Sequence, residues 1–238
     1  DNTCLEQQDV QAFSCFFFDA LEGRWKKAGL AAAPVTAMFE GVVESYVRCL
    51  HVPVESARRE GFNAIALGLR EGALEPALRA YFAEEPLAGD NAYRTEHNGL
   101  QDATKGLRLR ALPPVLTFQL HRFEYDAFQD KNVKISRCFE FGEELDLACV
   151  AEHLALDSPT ALRYRLFAVF LHVGRSAQLG HYKVLLRLSG GWWEFDDEAV
   201  SAVDWALVRR QAFGGPVPVY RLDPRSGRLL EHTTESAS

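Results

Sequence analysis

The first periodic segment of the chain has the spacing of an α-helix. Apolar residues recur there at steps of three or four, and they are Val10, Phe13, Phe17, Leu21 and Trp25. This spacing places them on one helical face, so the sequence predicts a helix over residues 10–25 whose apolar face packs in a core. Asp9 directly precedes this helix, in the position of an N-terminal cap.

Alternating apolar and polar positions dominate the rest of the chain and predict strands. The strand-like segments are 39–67, 113–126, 165–174, 181–200 and 216–223. Residues 165–174 are apolar on both faces, which is typical of a central strand. The segment around Ser189, Gly190 and Gly191 fits the turn of a hairpin. A short amphipathic helix is predicted over 71–85.

These elements predict an α+β fold with a mostly antiparallel sheet in the second half of the chain. The chain has 238 residues, which is enough for one large domain with a substantial core. Its apolar fraction of 47% and charged fraction of 25% are those of an ordinary globular protein.

Composition excludes several classes of function. The net charge of -7 argues against a non-specific grip on nucleic acid, which needs a basic surface. No run of 18 apolar residues is present, so the sequence predicts no membrane span. The five cysteines are odd in number and include no Cys-x-x-Cys pair, which favours free thiols in a reducing compartment. Without a secretory signal, we expect a cytoplasmic or nuclear location.

One histidine stands out by its context. His181 follows Gly180 at the start of a predicted strand, and Asp196 and Asp197 come fifteen and sixteen residues later. A hairpin between them brings the two strand ends together, so that a carboxylate can accept a hydrogen bond from the imidazole. This arrangement predicts a general base with its orienting acid. The alternative is that Gly180 simply starts a strand and the two aspartates form a turn.

Several motifs follow one another along the chain: "QQDVQAFSCFFFDALEGRWKK", "LPPVLTFQLHRFEYD", "NVKISRCFEFGEELDL", "LFAVFLHVG", "GHY" and "WWEFDDEAV". In this order they resemble the motifs of the ubiquitin-specific proteases. The resemblance covers residues 6–222 and is closest to the branch that contains ubiquitin carboxyl-terminal hydrolases 7, 40 and 47. These proteases are papain-like cysteine deubiquitinases.

The resemblance implies the papain-like α+β fold, in which a thumb, fingers and a palm grip ubiquitin. It assigns residues 1–35 to a partial helical thumb, 36–112 to β fingers and 113–232 to the antiparallel palm. Residues 233–238 are a polar tail. The chain opens on Asp1 rather than on Met, which we interpret as a catalytic domain that lacks its N-terminal portion.

The resemblance also implies roles for the residues of the dyad. His181 matches the general base, Asp196 its orienting carboxylate, and Asp197 the adjacent acid that assists. The resemblance implies that these residues act with a cysteine thiolate to hydrolyse the isopeptide or peptide bond that follows the C-terminal glycine of ubiquitin. The implied partners are ubiquitin and ubiquitinated proteins, and no cofactor is implied.

A second set of residues matches the part of the family that holds the ubiquitin tail. Asp9 matches the acid that receives the tail arginines, as a charge-assisted pair, and Gln11 belongs to the same helix motif. Phe123 and Tyr125 match the tail-binding strand, and Tyr182 matches the aromatic residue that packs on the tail glycines.

The sequence departs from the family pattern at two places. Ala12 stands where the helix motif normally has glutamate, so one carboxylate for the tail is missing. At the fingertips, many family members have two Cys-x-x-Cys knuckles. Here the four positions are held by Cys49, Val52, Thr95 and Asn98. One cysteine cannot supply the four ligands of a tetrahedral zinc, and we predict no metal there.

The nucleophile is the open question of the sequence. "DNTC" at residues 1–4 resembles the end of the family's cysteine box, but Leu5 follows and the expected helix does not. The sequence favours a nucleophile that is missing from this chain, with Cys4 as the alternative. Cys15 lies in an apolar helix, where an inert thiol is usual. The competing functions are a ubiquitin-binding pseudoenzyme and, from a different class, an unrelated α+β binding domain.

Overall fold

The structure is a computed structural model that describes residues 10–29, 34–126, 130–174, 180–214, 219–222 and 229–232. Its helices are α1 (Val10–Lys27), α2 (Pro34–Phe39), α3 (Leu74–Phe82) and α4 (Trp205–Ala212), with short 3-10 segments at Gly89–Asn91 and Leu147–His153. None of the helices in the described ranges is long and apolar enough to cross a membrane.

Strands make up most of the remaining regular structure. They are β1 (Gly41–Cys49), β2 (Glu55–Phe62), β3 (Ile65–Leu67), β4 (Glu85–Leu87), β5 (Tyr93–Thr95), β6 (Gly99–Gln101), β7 (Ala103–Ala111), β8 (Phe118–Leu120), β9 (Phe123–Asp126), β10 (Lys131–Lys134), β11 (Glu144–Asp146), β12 (Arg163–Arg165), β13 (Ala168–Val173), β14 (His181–Leu188), β15 (Gly191–Asp196), β16 (Ala199–Val203), β17 (Val219–Leu222) and β18 (Leu229–His232).

Helix α1 forms where its spacing predicts, but its apolar face does not pack in a core. Phe13 is 57% exposed and Phe16 73%, while Phe17, Leu21 and Trp25 are also exposed. The prediction of a buried face is therefore wrong for the described structure. The ring of Phe18 stacks on Phe39 at the end of α2, with the ring centroids 4.8 Å apart.

The first sheet has the strand order β2-β1-β7-β4 and is antiparallel throughout. One of its faces contributes Leu109, which is 1% exposed, to the main core. That core also contains Leu78 and Phe82 of α3 and Phe139, which are fully buried. Burial of these side chains joins the first sheet, α3 and the segment after residue 135 into one body.

The opposite face of the first sheet carries a buried charge network. Glu44 on β1 is only 6% exposed and forms ion pairs with three arginines: Arg110 at 2.6 Å, Arg108 at 2.9 Å and Arg59 at 3.1 Å. The hydrogen bond from Arg110 holds the pKa of Glu44 below its usual value, although burial acts in the opposite direction. Arg59 also pairs with Asp157 at 2.7 Å.

The second sheet has the order β13-β14-β15-β16 and is also antiparallel. Strands β14 and β15 are joined at Ser189 and Gly190, so the predicted hairpin turn is confirmed. The prediction that residues 165–174 form a central strand is wrong, because β13 lies at the sheet edge and Phe170 is 58% exposed. Helix α4 covers one face, where Val208 packs with a buried Leu185.

The clearest strand-like segment, residues 113–126, is divided into β8 and β9. Strand β8 pairs with β3 in parallel, and β9 forms a hairpin with β10. Arg122 lies between β8 and β9 and donates hydrogen bonds to the carbonyls of Arg137, at 3.0 Å, and Phe213, at 2.8 Å. Arg122 thereby connects the segment between β8 and β9 to the end of α4. Burial lowers the pKa of the Arg122 guanidinium.

Candidate active site

His181 and Asp196 meet at one end of the second sheet. His181 is the first residue of β14 and Asp196 is the last residue of β15. The imidazole Nε2 and the carboxylate Oδ1 are 2.5 Å apart, which is the predicted hydrogen bond. The two side chains are 39% and 41% exposed, so the pair is accessible from solvent.

Packing in the middle of the hairpin anchors the two strands that carry this pair. Leu185 on β14 is fully buried and Trp192 on β15 is 5% exposed, and both pack with Val208 of α4. His181 and Asp196 lie at the end of the hairpin away from its turn. A functional pair on packed strands is held more firmly than one on loops.

The hydrogen bond decides which nitrogen of His181 can act as a base. A carboxylate only accepts, so Nε2 donates to Asp196. The neutral ring then keeps Nδ1 unprotonated, and this nitrogen is the one that can take a proton from a nucleophile. Asp196 also stabilises the imidazolium that results.

Asp197 lies beside this pair but faces solvent more openly. It begins the two-residue turn between β15 and β16 and has a φ of 52°, in the left-handed region that aspartate tolerates better than most residues. His181, Asp196 and Asp197 each place one polar atom within 4.8 Å of the others. Such a spacing also suits a metal ion, but His181 and Asp196 are already hydrogen-bonded to each other.

Two of the predicted tail-binding residues contact one ring next to the dyad. The His172 ring lies 5.5 Å from the Phe123 ring and 5.0 Å from the Tyr182 ring, in edge-to-face contacts. Tyr182 directly follows His181 on β14. This cluster of Phe123, His172 and Tyr182, called the aromatic wall below, lies at the same end of β14 as His181 but on the opposite face of the strand.

Lys134 and Gly180 fix the backbone of this wall. The Lys134 ammonium donates to the carbonyls of His172, at 2.8 Å, and Gly174, at 2.9 Å, and burial lowers its pKa. A Cβ atom at Gly180 would lie 2.2 Å from His172 Nε2 and 2.8 Å from the carbonyl oxygen of Val173. Glycine before His181 is thus required by space, since the chain passes directly over the His172 ring.

The other predicted tail-binding residues are placed less completely. Tyr125 on β9 is 63% exposed, and its hydroxyl donates to Asp130, which raises the pKa of Tyr125. Gln11 belongs to α1, while Asp9 lies outside the described residues. Ala12 is exposed on α1.

At the fingertip positions, hydrogen bonds close one turn. Cys49 ends β1 and is buried, while the Thr95 hydroxyl donates to the Gly99 carbonyl and accepts from the Asn98 amide, both at 3.0 Å. His97 is 83% exposed in this turn. The absence of a metal here stays a prediction.

None of the four cysteines in the described ranges is hydrogen-bonded to the His181 ring. Cys15 is exposed on α1, Cys49 is buried on β1, and burial raises the pKa of Cys149. A raised pKa disfavours the thiolate that a nucleophile needs. Cys4 lies outside the described residues.

The sequence reasoning missed Lys134, Lys183 and Glu194. Lys183 Nζ and Glu194 Oε1 are 2.5 Å apart, and Gln211 of α4 donates to the other oxygen of Glu194 at 2.8 Å. The signal for this pair was available, because Lys183 is two residues after His181 and Glu194 two before Asp196. Residues two apart on a strand share a face. Lys134 gave no such signal, since its partners lie about forty residues away along the chain.

A comparison with protein families now identifies the chain. The model of the family "Ubiquitin carboxyl-terminal hydrolase" matches residues 3–226. The chain belongs to this family. Ubiquitin carboxyl-terminal hydrolase 7 of Drosophila melanogaster is 36% identical over 212 residues, which cover 88% of this chain and 18% of that protein. Ubiquitin C-terminal hydrolase 12 of Arabidopsis thaliana is 35% identical over 225 residues, which cover 92% of this chain and 20% of that protein. The chain thus spans about a fifth of the length of these hydrolases.

A solved structure shows that the fold is that of the family. The SAGA DUB module of Ubp8, Sgf11, Sus1 and Sgf73 bound to monoubiquitin matches with a TM-score of 0.73 and 28% identity. The match covers 87% of this chain and 47% of that chain. The α+β architecture with antiparallel sheets is therefore the papain-like fold of the ubiquitin-specific hydrolases.

Proposed function

We propose that this chain is the His–Asp part of a thiol-dependent deubiquitinase, which cleaves the bond after the C-terminal glycine of ubiquitin. The hydrogen bond between His181 Nε2 and Asp196 Oδ1 carries the proposal. It leaves Nδ1 as the base of a cysteine protease, and the dyad is open to a substrate. Family membership supports ubiquitin as the substrate.

The first half of the reaction forms a thioester. His181 Nδ1 takes the thiol proton, and the thiolate sulfur bonds to the glycine carbonyl carbon while the π electrons move to oxygen. When the tetrahedral intermediate collapses, the carbon–nitrogen bond breaks and the leaving amine takes the proton from His181. Asp196 stabilises the imidazolium during both steps.

The second half returns the enzyme to its starting state. His181 takes a proton from water as the water oxygen bonds to the thioester carbon. The carbon–sulfur bond then breaks, the sulfur takes this proton from His181, and the new carboxylic acid of ubiquitin loses its own proton to solvent as ubiquitin leaves. Asp197, at the rim of the site, is proposed to assist the dyad.

We infer that the aromatic wall guides the ubiquitin tail. Phe123 and Tyr182 contact the His172 ring, and Tyr182 directly follows His181 on β14. Tyr125 extends from β9 into solvent, where a bound tail can reach it. Asp9 and Gln11 stay predicted contacts for the tail by resemblance alone, and the loss of a carboxylate at Ala12 is proposed to weaken tail binding.

The nucleophile is proposed to be a cysteine outside this chain. Among the described cysteines, Cys49 is buried and burial raises the pKa of Cys149. Cys15 and Cys138 are exposed, and neither is hydrogen-bonded to the His181 ring. The exposed apolar face of α1 supports the same proposal, because an exposed apolar face is typical of a surface on which another segment packs.

A ubiquitin derivative with a C-terminal electrophile tests the proposal. The full natural protein, this chain alone and Cys4→Ala and Cys15→Ser variants of both are incubated with the probe, and adducts are located by mass spectrometry. We expect an adduct with the full protein and none with this chain alone. Neither Cys4→Ala nor Cys15→Ser should change the yield of the adduct, and adding a metal chelator to the reaction should not change it either. Hydrolysis of a ubiquitin fluorogenic substrate is expected to follow the same pattern.

Three other outcomes contradict the proposal in different ways. An adduct on the chain that Cys4→Ala abolishes would make Cys4 the nucleophile. Ubiquitin binding by the full protein without an adduct would establish the pseudoenzyme instead. No binding at all would contradict both ubiquitin functions.

The division of the chain stays a proposal as well. The first sheet lies within residues 36–112, assigned to the fingers, and the second sheet within 113–232, assigned to the palm. A cytoplasmic or nuclear location also stays a prediction, which fluorescence imaging of the tagged full protein can test.

A further inference from the structure

A second charged pair lies on the same face of the hairpin as the dyad. We propose that Glu194 is a positioning residue that holds the Lys183 ammonium away from Asp196, so that Asp196 stays with His181. This inference rests on the proposed function, because it gives Glu194 a purpose only if the dyad must be kept in one geometry.

The strand register brings three charged groups into one row beside the histidine. Val184 and Phe195 are paired across β14 and β15. Lys183 and Asp196, one residue beyond this pair, therefore come opposite each other on the other face of the sheet. His181 is two residues from Lys183, and Glu194 is two residues from Asp196, so all four side chains share that face.

Lys183 thus has a choice of two carboxylates. Its Nζ is 2.5 Å from Glu194 Oε1, and among the described residues its ion pair is with Glu194, not with Asp196. The two carboxylates repel each other, because the charge of Asp196 raises the pKa of Glu194. The hydrogen bond from Lys183 has the larger effect and lowers the pKa of Glu194. Without Glu194, Asp196 would be the carboxylate that shares a strand position with this cation.

The pair is built to stay in place. Lys183 and Glu194 are only 16% and 14% exposed, far less than the dyad, so water screens their attraction weakly. Gln211 of α4 donates to Glu194 Oε2 at 2.8 Å. One oxygen of Glu194 is therefore held by the helix and the other by the lysine, which fixes the carboxylate in one orientation.

The chemical cost of losing Glu194 follows directly. A lysine ammonium is a flexible point charge that re-pairs easily. When it binds Asp196, it competes with the Nε2–H of His181, and the ring is no longer restricted to one tautomer. Nδ1 then carries a proton in part of the molecules, and those molecules cannot accept a proton from the nucleophile.

A set of three variants separates this role from simple support of the fold. Glu194→Gln removes the charge and keeps the shape and one acceptor for Gln211. Lys183→Met/Glu194→Gln removes the competing cation as well. Glu144→Gln is the matched control, because Glu144 pairs with Arg165 at 3.2 Å in an exposed position on β11.

In the full natural protein, we expect Glu194→Gln to lower kcat for a ubiquitin fluorogenic substrate by about tenfold or more, with KM changed by less than about twofold. The double variant is expected to recover kcat to within about threefold of the unmodified protein. Glu144→Gln is expected to leave both constants unchanged. A purely structural role predicts the reverse order, because the double variant then loses more than the single one.

A readout without hydrolysis keeps this inference separate from the proposed function. Two-bond proton–nitrogen correlation spectra of this chain, recorded where the imidazoles are neutral, show which ring nitrogen carries the proton, and His181→Gln assigns the signal. We expect the Nε2–H form in the unmodified chain, a tautomer mixture in Glu194→Gln, and the Nε2–H form again in the double variant.

The outcomes are decisive in both directions. If Glu194→Gln keeps the pure Nε2–H form, or if the double variant does not restore it, Glu194 does not position the dyad. If the spectra behave as expected while the full protein hydrolyses nothing, the positioning role stands and the deubiquitinase proposal fails.

Discussion

Two carboxylates, one in each four-stranded sheet, show opposite ways of using a charge. Glu44 in the first sheet is 6% exposed and has three arginine partners. Asp196 in the second sheet is 41% exposed and has one histidine partner at 2.5 Å. Glu44 is saturated with cations, whereas Asp196 is hydrogen-bonded to a group that can change its own charge.

The different surroundings of Glu44 and Asp196 suggest different roles, one in the stability of the fold and one in the proposed reaction. A buried carboxylate with several arginines has no reason to exchange partners, and removal of one partner leaves an uncompensated buried charge. An accessible carboxylate with one histidine contributes little to folding, because exposed pairs are weak. The first sheet should therefore respond to substitution in stability, and the second sheet in activity. The following predictions test this contrast.

The largest effect is expected at the base. His181→Ala in the full natural protein should lower kcat/KM for a ubiquitin substrate by about 10⁴-fold, because the variant lacks the base proposed to take the thiol proton. The urea midpoint of the chain should change little. Residual hydrolysis within tenfold of the unmodified protein would contradict the assignment of the base.

Asp196→Asn is expected to have the next largest effect. The amide can donate to the ring and hold the wrong tautomer, so we expect kcat to fall by about 10²–10³-fold. The same variant should bind ubiquitin as tightly as the unmodified protein in a calorimetric titration. A loss of ubiquitin affinity with unchanged kcat would place Asp196 in substrate binding instead.

Glu44→Gln, in the first sheet, should lower stability and leave activity nearly unchanged. We expect a loss of about 2–3 kcal/mol in the free energy of unfolding, because three arginines lose their shared anion. Hydrolysis by the folded protein should stay within about fivefold. A stable Glu44→Gln chain would show that the first sheet tolerates its cations without this anion.

The stability contributed by Glu44 should depend on pH. Its folded pKa lies below the usual value of 4.5, so its contribution is fully present above pH 4.5 and is lost as the pH falls through the folded pKa. The difference in unfolding free energy between the unmodified chain and Glu44→Gln should therefore narrow as the pH is lowered from 5 to 3. A difference that stays constant over this range would contradict the lowered pKa.

The smallest effect is expected for Arg165→Met. Arg165 pairs with Glu144 at 3.2 Å, and both side chains are about two-thirds exposed. We expect the free energy of unfolding to change by less than about 0.5 kcal/mol and hydrolysis to stay the same. A larger change in either would mean that exposure is a poor guide to the worth of an ion pair in this protein.

Local pattern predicted the elements well and their surroundings poorly. The helix at residues 10–27 and the hairpin at Gly190 follow from spacing and turn chemistry, which act within a few residues. The burial of Phe17 and the position of β13 in its sheet depend on what packs against them, and that information is not local. Both predictions of burial were wrong for this reason.

The candidate site shows the same division. The meeting of His181 and Asp196 was predictable because one hairpin connects them. The link from Lys134 to His172 was not, since it joins two hairpins whose relative placement depends on the whole fold. Gln211 reaches Glu194 from a helix that follows β16, which again no local pattern shows.

The exposed aromatic face of α1 should influence how the chain behaves in solution. Exposed rings such as Phe13 and Phe16 form an apolar surface on this helix, and a second molecule that packs on it would bury these rings. Because association that favours the folded form raises the apparent melting temperature, that temperature should rise with protein concentration. A dilution series would therefore show how much of the measured stability belongs to one molecule and how much to its neighbours.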